Sequence, residues 1–442
     1  MSSDTRRALR DFVSLQRGTT YKGALVGLPG PVLLGLASIE PNGGFRYGGF
    51  KTYGGDCPEK ISLKSGDLYV SLKDVTQSGD LLGSIARVPS DIASGRLTQD
   101  TVKLVFDGDP VSRDYIYWLL RTPAYREYCR GCATGTTTLG LSRDDFLDFP
   151  VPSPAPADEL LIELLEGVEK RITLLRETNA TLEAIAQALF KSWFVDFDPV
   201  RAKAEFRQPE GMDATTAALF PDSFEESELG LVPKGWTVRP IGELVEGIYD
   251  GPHATPAESA DGPVFLGIKN LTGTSLDLSD IRHISESDWK QWTRRVEPRR
   301  GDIVFSYEAT LGFFALIPPG VRCCLGRRLA LVRPHAENGA GMFWFHQFIS
   351  APFQQLLDKH TIHGATVNRI ALKAFPSYPV LNPPEPLKSA FVDSVAPLWA
   401  AIHENQVQAQ TLTQLRDTLL PRLISGQLRL PEAEALMAEV AS

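Results

Sequence analysis

Long apolar segments are missing from this chain of 442 residues. No run approaches the roughly 18 apolar residues that a membrane-spanning helix needs, so we expect no membrane among the partners. The N-terminal stretch MSSDTRRALRDFV lacks the apolar segment of a secretion signal, and five cysteines suit a reducing compartment. These features predict a cytoplasmic protein with free thiols.

An excess of positive charge is also missing. The chain has 45 basic and 54 acidic side chains and a formal net charge of −9, which argues against non-specific coating of nucleic acid. A local basic patch is not excluded, because charges more than about 8 Å apart are largely screened at physiological salt. Between Arg282 and Arg333 there are ten Arg or Lys residues against five Asp or Glu residues.

Catalytic motifs are absent as well. No Gly-x-x-x-x-Gly-Lys-[Ser/Thr] loop is present, so the sequence predicts no ATP motor. The segment Asn382-Pro383-Pro384-Glu385 imitates the Asn-Pro-Pro-aromatic motif of amino-methyltransferases, but it lacks the aromatic residue. Cys129 and Cys132 form a lone CxxC, whereas a zinc site needs four ligands. We therefore expect neither catalysis nor a metal in this chain.

The sequence does contain an internal repeat. Four short segments of the first half recur in the same order in the second half, at offsets of 229 to 235 residues. Small changes of offset are what insertions in loops produce, so the order indicates two similar halves. The matches pair residues 31–36 with 263–268, 64–68 with 299–303, 135–137 with 364–366, and 149–151 with 378–380.

Each half ends in a stretch whose apolar residues recur alternately every four and three residues, which is the spacing of a coiled-coil seam. The stripes run over residues 161–193 and 391–423, and Pro397 should kink the second helix or delay its start. Antiparallel pairing with aligned ends would bring Asn179 to Asn405 and fix the register. The alternative is that each helix packs on its own neighbouring domain. The central seam positions are Leu175, Asn179, Leu182, Ile402, Asn405 and Leu412.

These patterns predict a two-lobed α/β (α+β) fold. Two similar domains with mixed sheets would lie at opposite ends of an antiparallel two-helix coiled coil, related by a pseudo-twofold axis. The expected boundaries are a first domain over 1–156, a spacer helix over 157–196, a linker over 197–234, a second domain over 235–384, a second spacer helix over 385–426 and a tail over 427–442.

The region between the two halves carries a family resemblance. Residues 188–200, ALFKSWFVDFDPV, with Ser227-Glu228-Leu229-Gly230 and Pro233-Lys234-Gly235-Trp236, resemble the central region of type I restriction–modification specificity subunits. Residues 324–331, 363–370 and 419–426 resemble the second target-recognition domain and the last helix of that family. The first domain departs from the pattern, because Gln99-Asp100-Thr101 stands where the second domain has Arg327-Arg328.

The resemblance implies a non-catalytic subunit. Each target-recognition domain would read one half of a split sequence in double-stranded DNA. The helices would set the spacing and dock two methyltransferase (modification) subunits, which motor-nuclease (restriction) subunits join. S-adenosylmethionine, ATP and magnesium would belong to those partners. Trp193 and Phe194 are predicted to form a docking patch. The alternatives are a coiled-coil scaffold whose end domains bind proteins, or a divergent DNA methyltransferase or nuclease.

Contacts to DNA are expected from basic side chains and from the repeated glycine-containing loops. Arg and Lys contacts to phosphates supply affinity, whereas contacts to base edges supply sequence choice. Residues that differ between the halves are the candidates for base reading, namely Tyr47, Lys51 and Tyr53, and Tyr249, His253, Arg294 and Arg295. The predicted DNA-binding residues are Arg121, Arg130, Gly135, Thr136, Thr137, Arg143, Arg294, Arg295, Arg327, Arg328, Gly364, Thr366, Asn368 and Arg369.

Overall fold

The computed structural model describes residues 7–47, 50–75, 79–106, 111–136, 138–154, 156–278, 281–335, 340–364 and 367–422. The chain divides into two compact units, one formed by residues up to 173 and from 411 onward, the other by residues 174–410. Each unit holds one domain of mixed helices and strands and a part of both long helices. No helix within the described ranges is long and apolar enough to cross a membrane.

The first unit is built from short strands and three short helices. Strand residues Leu68–Ser71 are buried throughout. The hydroxyls of Ser112, Thr122 and Ser142 accept hydrogen bonds from the first turns of the helices that follow them. The strands are β1 (Arg7–Ala8), β2 (Val13–Arg17), β3 (Val32–Leu34), β4 (Ser62–Leu63), β5 (Leu68–Ser71), β6 (Lys73–Asp74), β7 (Ile85–Arg87), β8 (Gly95–Leu97), β9 (Thr101–Phe106), β10 (Leu139–Gly140) and β11 (Pro150–Val151). The helices are α1 (Arg113–Leu119), α2 (Pro123–Gly131), α3 (Arg143–Leu147) and the long α4 (Pro156–Phe194), which continues into the second unit.

The second unit contains the remaining elements. Its strands are β12 (Phe224–Ser227), β13 (Gly230–Pro233), β14 (Thr237–Pro240), β15 (Val245–Asp250), β16 (Ser259–Leu266), β17 (Leu271–Thr272), β18 (Ser275–Leu276), β19 (Arg282–His283), β20 (Ile303–Ser306), β21 (Phe314–Leu316), β22 (Cys323–Leu325), β23 (Leu329–Pro334), β24 (Thr361–Ile362), β25 (Arg369–Ile370) and β26 (Pro379–Asn382). Its helices are α5 (Asp198–Ala204), α6 (Ala214–Ala218), α7 (Trp289–Trp292), α8 (Ala340–Ile349), α9 (Ala351–Lys359) and the long α10 (Glu385–Leu419), which ends in the first unit.

The strand order confirms the internal repeat. In the first unit β2, β9, β5 and β7 form a four-stranded antiparallel sheet, and in the second unit β15, β23, β20 and β21 do the same. Each sheet is accompanied by a parallel strand pair, β3 with β8 and β16 with β22. Ser71 faces Thr101 at the end of one ladder, and Ser306 faces Leu329 at the end of the other. These two ladder pairs therefore mark equivalent positions of the two domains.

The two long helices pair antiparallel, as predicted. Within the second unit, the amide of Asn405 donates to Oδ1 of Asn179 at 2.8 Å, and the amide of Asn179 donates to the carbonyl of Ile402 at 3.3 Å. Further along, the rings of Phe190 and Phe391 lie 5.4 Å apart. A shift of register would separate the two amides and leave polar groups unpaired in an apolar seam, so the pair selects this register.

Burial follows the predicted stripes. Arg416 is the one charged residue on the second stripe, and its guanidinium donates to Glu169 at 3.0 Å within the first unit. Burial opposes its charge, but Glu169 and Asp417 raise the pKa of Arg416. Leu423, the last residue of the second stripe, lies outside the described residues. Of the six central seam residues, Leu175, Ile402 and Leu412 are buried, and Asn179, Leu182 and Asn405 are partly buried.

Pro397 lies inside α10 rather than before it. The prediction that it would delay the start of the second helix is therefore wrong. A proline removes one backbone hydrogen bond from a helix. Here Val395 is fully buried beside it and Leu398 packs on the same core, and this apolar contact keeps the segment helical across the proline.

The expected linker, residues 197–234, is folded. It contains α5, α6 and the β12–β13 hairpin, and its residues Val200, Phe220 and Val232 are buried in the core of the second unit. The chain enters α5 through Phe197, which has a left-handed backbone at φ 58°. The segment therefore extends the second domain instead of spanning a gap.

Candidate nucleic-acid interface

Backbone contacts gather three loops of the second unit. The loop after β20 lies between the β22–β23 turn and the β24–β25 hairpin, since Tyr307 N donates to Arg328 O at 3.2 Å and Ile370 N donates to Tyr307 O at 2.8 Å. The backbones of Glu308 and Arg369 form an isolated antiparallel β-bridge, and Ala309 N donates to Asn368 O at 3.0 Å. The predicted DNA-binding residues of the turn and of the hairpin thus lie on one side of the domain.

The Arg327–Arg328 turn has an unusual backbone. Arg328 has a φ of 76°, a left-handed conformation that costs an ordinary residue about 1–2 kcal/mol. Its Nε lies 3.7 Å from a carboxylate oxygen of Glu308 and, although buried, has no hydrogen-bond partner. Arg327 is exposed and has no hydrogen-bond or ion-pair partner among the described residues. Strain of this kind collects at functional sites, where surrounding contacts maintain it.

A second group of charges surrounds Tyr307. Asp250 accepts a hydrogen bond from Arg295 and another, at 3.2 Å, from the ring of His253. Burial raises the pKa of Tyr307, and the nearby carboxylates of Asp250 and Glu308 raise it further. Arg294 is exposed. The sequence-predicted residues Arg295 and His253 therefore adjoin the Arg327–Arg328 turn through Asp250 and Tyr307.

The repeated glycines hold two equivalent hairpins. Gly135 has a φ of 101°, and a Cβ added there would lie 2.3 Å from the carbonyl oxygen of Thr138. A Cβ added to Gly364 would lie 2.4 Å from the carbonyl oxygen of Val367. Both positions therefore require glycine for the same steric reason. Thr136 is exposed, whereas Thr137 and Thr366 lie outside the described residues.

Beside the Gly135 hairpin, the first unit has a cleft of about 330 Å³. Its lining includes Arg143, which is exposed at the start of α3. It also includes Lys73, whose ammonium lies 3.2 Å from a carboxylate oxygen of Asp100. Other polar lining residues are Arg17 from β2, Gln99 and Thr134. Its lining includes residues from three loops that are equivalent to the three loops of the second unit.

Arg121 does not lie at this interface, and its prediction is corrected. Its side chain is 4% exposed, donates to the hydroxyl of Tyr117 at 2.9 Å and lies 3.7 Å from Glu169 of α4. Arg126 is buried too, and it donates to backbone carbonyls, including that of Asp80. Both arginines therefore stabilise the interior. Arg130 is half-exposed and lies 3.6 Å from Asp80, so its role in DNA binding stays a prediction.

The residues predicted to read bases differ in how far their side chains are exposed. Tyr53 is 4% exposed, and its hydroxyl accepts a hydrogen bond from the backbone N–H of Lys22, so it is unavailable to DNA. Tyr47 is 41% exposed and Lys51 is exposed. Tyr249 is partly buried, and the guanidinium of Arg333 lies over its ring.

Trp193 and Phe194 do not form a docking patch. Each is 5% exposed. The ring of Phe194 lies 5.2 Å from that of Phe343, and the ring of Trp193 lies 5.3 Å from that of Phe220. The sequence showed only two large apolar residues at the end of a helix, and the partners that bury them lie far along the chain.

Sequence reasoning missed Arg17, Lys73 and Glu308. Arg17 is the last residue of β2, and Lys73 and Glu308 each lie two residues beyond the end of a buried strand, β5 or β20. For Lys73 and Glu308 the signal was the Gly-Asp turn that precedes both Leu68–Ser71 and Ile303–Ser306, because it places the two residues at matching distances along the repeat.

The chain is similar to two curated proteins and to solved structures. No protein-family model matches the chain. It is 26% identical over 343 residues to the MjaIX type I restriction enzyme specificity subunit of Methanocaldococcus jannaschii, a match that covers 76% of this chain and 73% of that protein. It is 23% identical over 417 residues to the HindI type I restriction enzyme specificity subunit of Haemophilus influenzae, with 82% and 89% covered. The fold is similar to that of a type I restriction–modification S subunit from M. genitalium, with a TM-score of 0.50, 13% identity, and 96% and 97% of the two chains covered. The resemblance seen in the sequence is confirmed.

Proposed function

We propose that this chain, a relative of the specificity subunits of type I restriction–modification systems, is the sequence-specific DNA-binding subunit of such an enzyme. The observation that carries the proposal is the repeated domain. Both units have the same sheet order, and each gathers a strand exit, a turn and a glycine-containing hairpin on one side. Two similar binding surfaces in one chain suit a target in two parts, each read by one domain.

The charge distribution supports binding to double-stranded DNA. The whole chain is acidic, so affinity for phosphates must come from a local surface. In the second unit that surface has Arg294, Arg327 and Arg369 exposed, and Arg295 and Arg328 lie beside them. In the first unit the cleft supplies its own cations. A complex that reads the DNA of the cell would act in the cytoplasm.

The paired helices are proposed to set the spacing and to dock two methyltransferase subunits. Outside the seam, Leu174, Ile185 and Val407 are about half exposed, at 51%, 49% and 51%. Such side chains on a helix pair are suited to burial by a partner. Motor-nuclease subunits would complete the enzyme. In this proposal S-adenosylmethionine, ATP and magnesium are bound by those partners, and this chain is non-catalytic.

The function is tested by sequencing the methylome of a host that expresses the chain with its methyltransferase subunits. We expect methylation of one split sequence, in which two defined half-sites flank an undefined spacer. Methyltransferase subunits without this chain should leave that sequence unmethylated. Methylation of a single continuous site, or methylation that does not depend on the chain, would contradict the proposal.

Replacing the exposed residues Arg327 and Arg369 with Ala is expected to weaken binding of the complex to all duplexes and to flatten its salt dependence. Each phosphate contact contributes about 0.9 to the slope of log K against log salt, so losing two should lower the slope by about 1.8. Fluorescence anisotropy over a range of salt concentrations measures this.

The matched control is the double variant Arg207→Ala and Arg239→Ala. It removes two exposed arginines that pair with neighbouring glutamates outside the interface, and it should leave the slope unchanged. A loss confined to one base pair of the target, with the slope preserved, would show that Arg327 and Arg369 read bases instead of phosphates.

A further inference from the structure

Ladder register shows which residues of the two interfaces are equivalent. Thr101 and Leu329 occupy the same place, because they face Ser71 and Ser306 at the ends of matching ladders. The next residue of each strand, Val102 in β9 and Ala330 in β23, is therefore equivalent as well. Arg17 faces Val102, and Asp250 faces Ala330. A cation in the first unit thus stands where the second unit has an anion.

Charge is also reversed in a neighbouring ion pair, which is Lys73–Asp100 in the first unit and Glu308–Arg328 in the second. Lys73 lies two residues beyond Ser71, and Asp100 lies one residue before Thr101. Glu308 and Arg328 hold the corresponding places beyond Ser306 and before Leu329. The hairpins confirm the match. In strand pairing, the backbone of Lys73 lies opposite Gly140 of β10, and the backbone of Glu308 lies opposite Arg369 of β25.

Both pairs are formed, and both remain accessible. Lys73 and Asp100 are 3.2 Å apart, with side chains 49% and 27% exposed. Glu308 and Arg328 are 3.7 Å apart, with side chains 21% and 34% exposed. The polarity of the pair is reversed, while its place relative to strand, turn and hairpin is kept.

Cations are also redistributed around the inverted positions. The neutral residues Gln99 and Gly140 of the first unit have the exposed arginines Arg327 and Arg369 as counterparts in the second unit. Conversely, Arg143 of the first cleft corresponds to Leu372. Each surface therefore keeps several cations while their positions change.

This pattern is explained by base reading rather than by phosphate binding. A surface that only held phosphates would gain nothing from a carboxylate at its centre, since the carboxylate repels them. In the major groove, guanine presents acceptors and cytosine or adenine presents an amino donor. Lys and Arg only donate hydrogen bonds, and ionised Asp and Glu only accept them. Reversing the charge at a fixed position therefore reverses which base edge fits there.

We propose that three matched positions determine the sequence of each half-site: Arg17 and Asp250, Lys73 and Glu308, and Asp100 and Arg328. The inference rests on the proposed function, because it assigns the specificity of those same surfaces. The ion pair at two of these positions orients the donor and the acceptor before DNA binds. The two domains thus present opposite hydrogen-bonding polarity to their half-sites.

The test is a polarity exchange in the first domain. The double variant Lys73→Glu and Asp100→Arg copies the pair of the second domain and keeps an attractive ion pair. The complete complex with its methyltransferase subunits is used to select duplexes from a library in which both half-sites are randomised. We expect the preferred base to change at one or two positions of one half-site, with about 10- to 100-fold lower preference for the original base there.

The reciprocal variant, Glu308→Lys with Arg328→Asp, should change only the other half-site. Aspartate suits the left-handed backbone at that position better than most residues. The matched control reverses the exposed Arg10–Asp148 ion pair of the first unit, which lies outside the cleft lining. The control should select the original sequence.

The outcomes are distinct. Loss of selection in one half-site alone supports the inference in the same way as a changed base does. Unchanged selection in both half-sites overturns it, and so does loss in both half-sites by a complex whose assembly and thermal unfolding are normal. If the wild-type complex selects no split sequence, the proposed function fails first and independently.

Discussion

Exchange of residues 235–384 for the second recognition domain of another type I specificity subunit is expected to change one half of the methylated sequence and preserve the other. Strands β14 and β26 pair with each other, from Thr237 opposite Asn382 to Pro240 opposite Pro379. Both ends of the exchanged segment therefore lie side by side. All the loops of the second interface lie between these two strands, so they move together into the hybrid.

The exchanged domain must also fit the helices on which it rests. Phe190 of α4 lies 5.6 Å from Phe343 of α8, and Phe391 of α10 lies 5.2 Å from His346 of the same helix, measured between ring centroids. Truncating a buried aromatic side chain costs about 3–5 kcal/mol. A donor domain without aromatic residues at the positions of Phe343 and His346 would destabilise the hybrid for a reason unrelated to recognition.

Two hybrids separate these effects. One carries the donor domain unchanged, and the other carries it with Phe343 and His346 restored. Methylome sequencing reports the target of each, and thermal unfolding reports the fold. A stable hybrid whose two half-sites both change, or in which neither changes, would contradict reading by independent domains. Exchange of residues 1–156 should change the opposite half-site.

Sequence periodicity predicted the helical part of the fold well, for a physical reason. A seam is local, since residues three and four apart lie on one face of a helix. The stripes therefore located α4 and α10 and brought Asn179 opposite Asn405, as the structure has them. The placement of the two domains at opposite ends of this pair stays a prediction.

The candidate site was harder to predict, because its chemistry depends on partners that are distant in the chain. Arg121 and Arg143 are alike as sequence signals, yet Glu169 and Tyr117 bury the first, while the second lines an open cleft. Charge alone cannot separate them. The repeat could be recognised in the sequence. The match of Arg17 with Asp250 required the strand pairing of β15 with β23, because a bulge between Val245 and Gly247 changes the sequence offset between the two halves.

Removing four residues from each long helix, 177–180 and 404–407, is expected to bring the two half-sites closer by one or two base pairs. The segments face each other in the antiparallel pair, centred near the Asn179–Asn405 contact. Four residues of helix rise about 6 Å and turn about 40° beyond a full revolution. One base pair of DNA rises about 3.4 Å, with about 10–10.5 base pairs per turn. The lost length thus corresponds to about two base pairs, and the rotation to about one.

Two controls isolate length from seam chemistry. The double variant Asn179→Leu and Asn405→Leu removes both amides at constant length, so the methylated spacer should keep its original length. Deleting 177–180 alone shortens α4 but not α10. Beyond the deletion, apolar seam residues of one helix then lie opposite polar residues of the other. That variant should lose stability in thermal unfolding without acquiring a shorter target. If the matched deletion folds, supports methylation and leaves the spacer unchanged, the paired helices do not set the distance between the half-sites, and the spacing must be determined by the partner subunits.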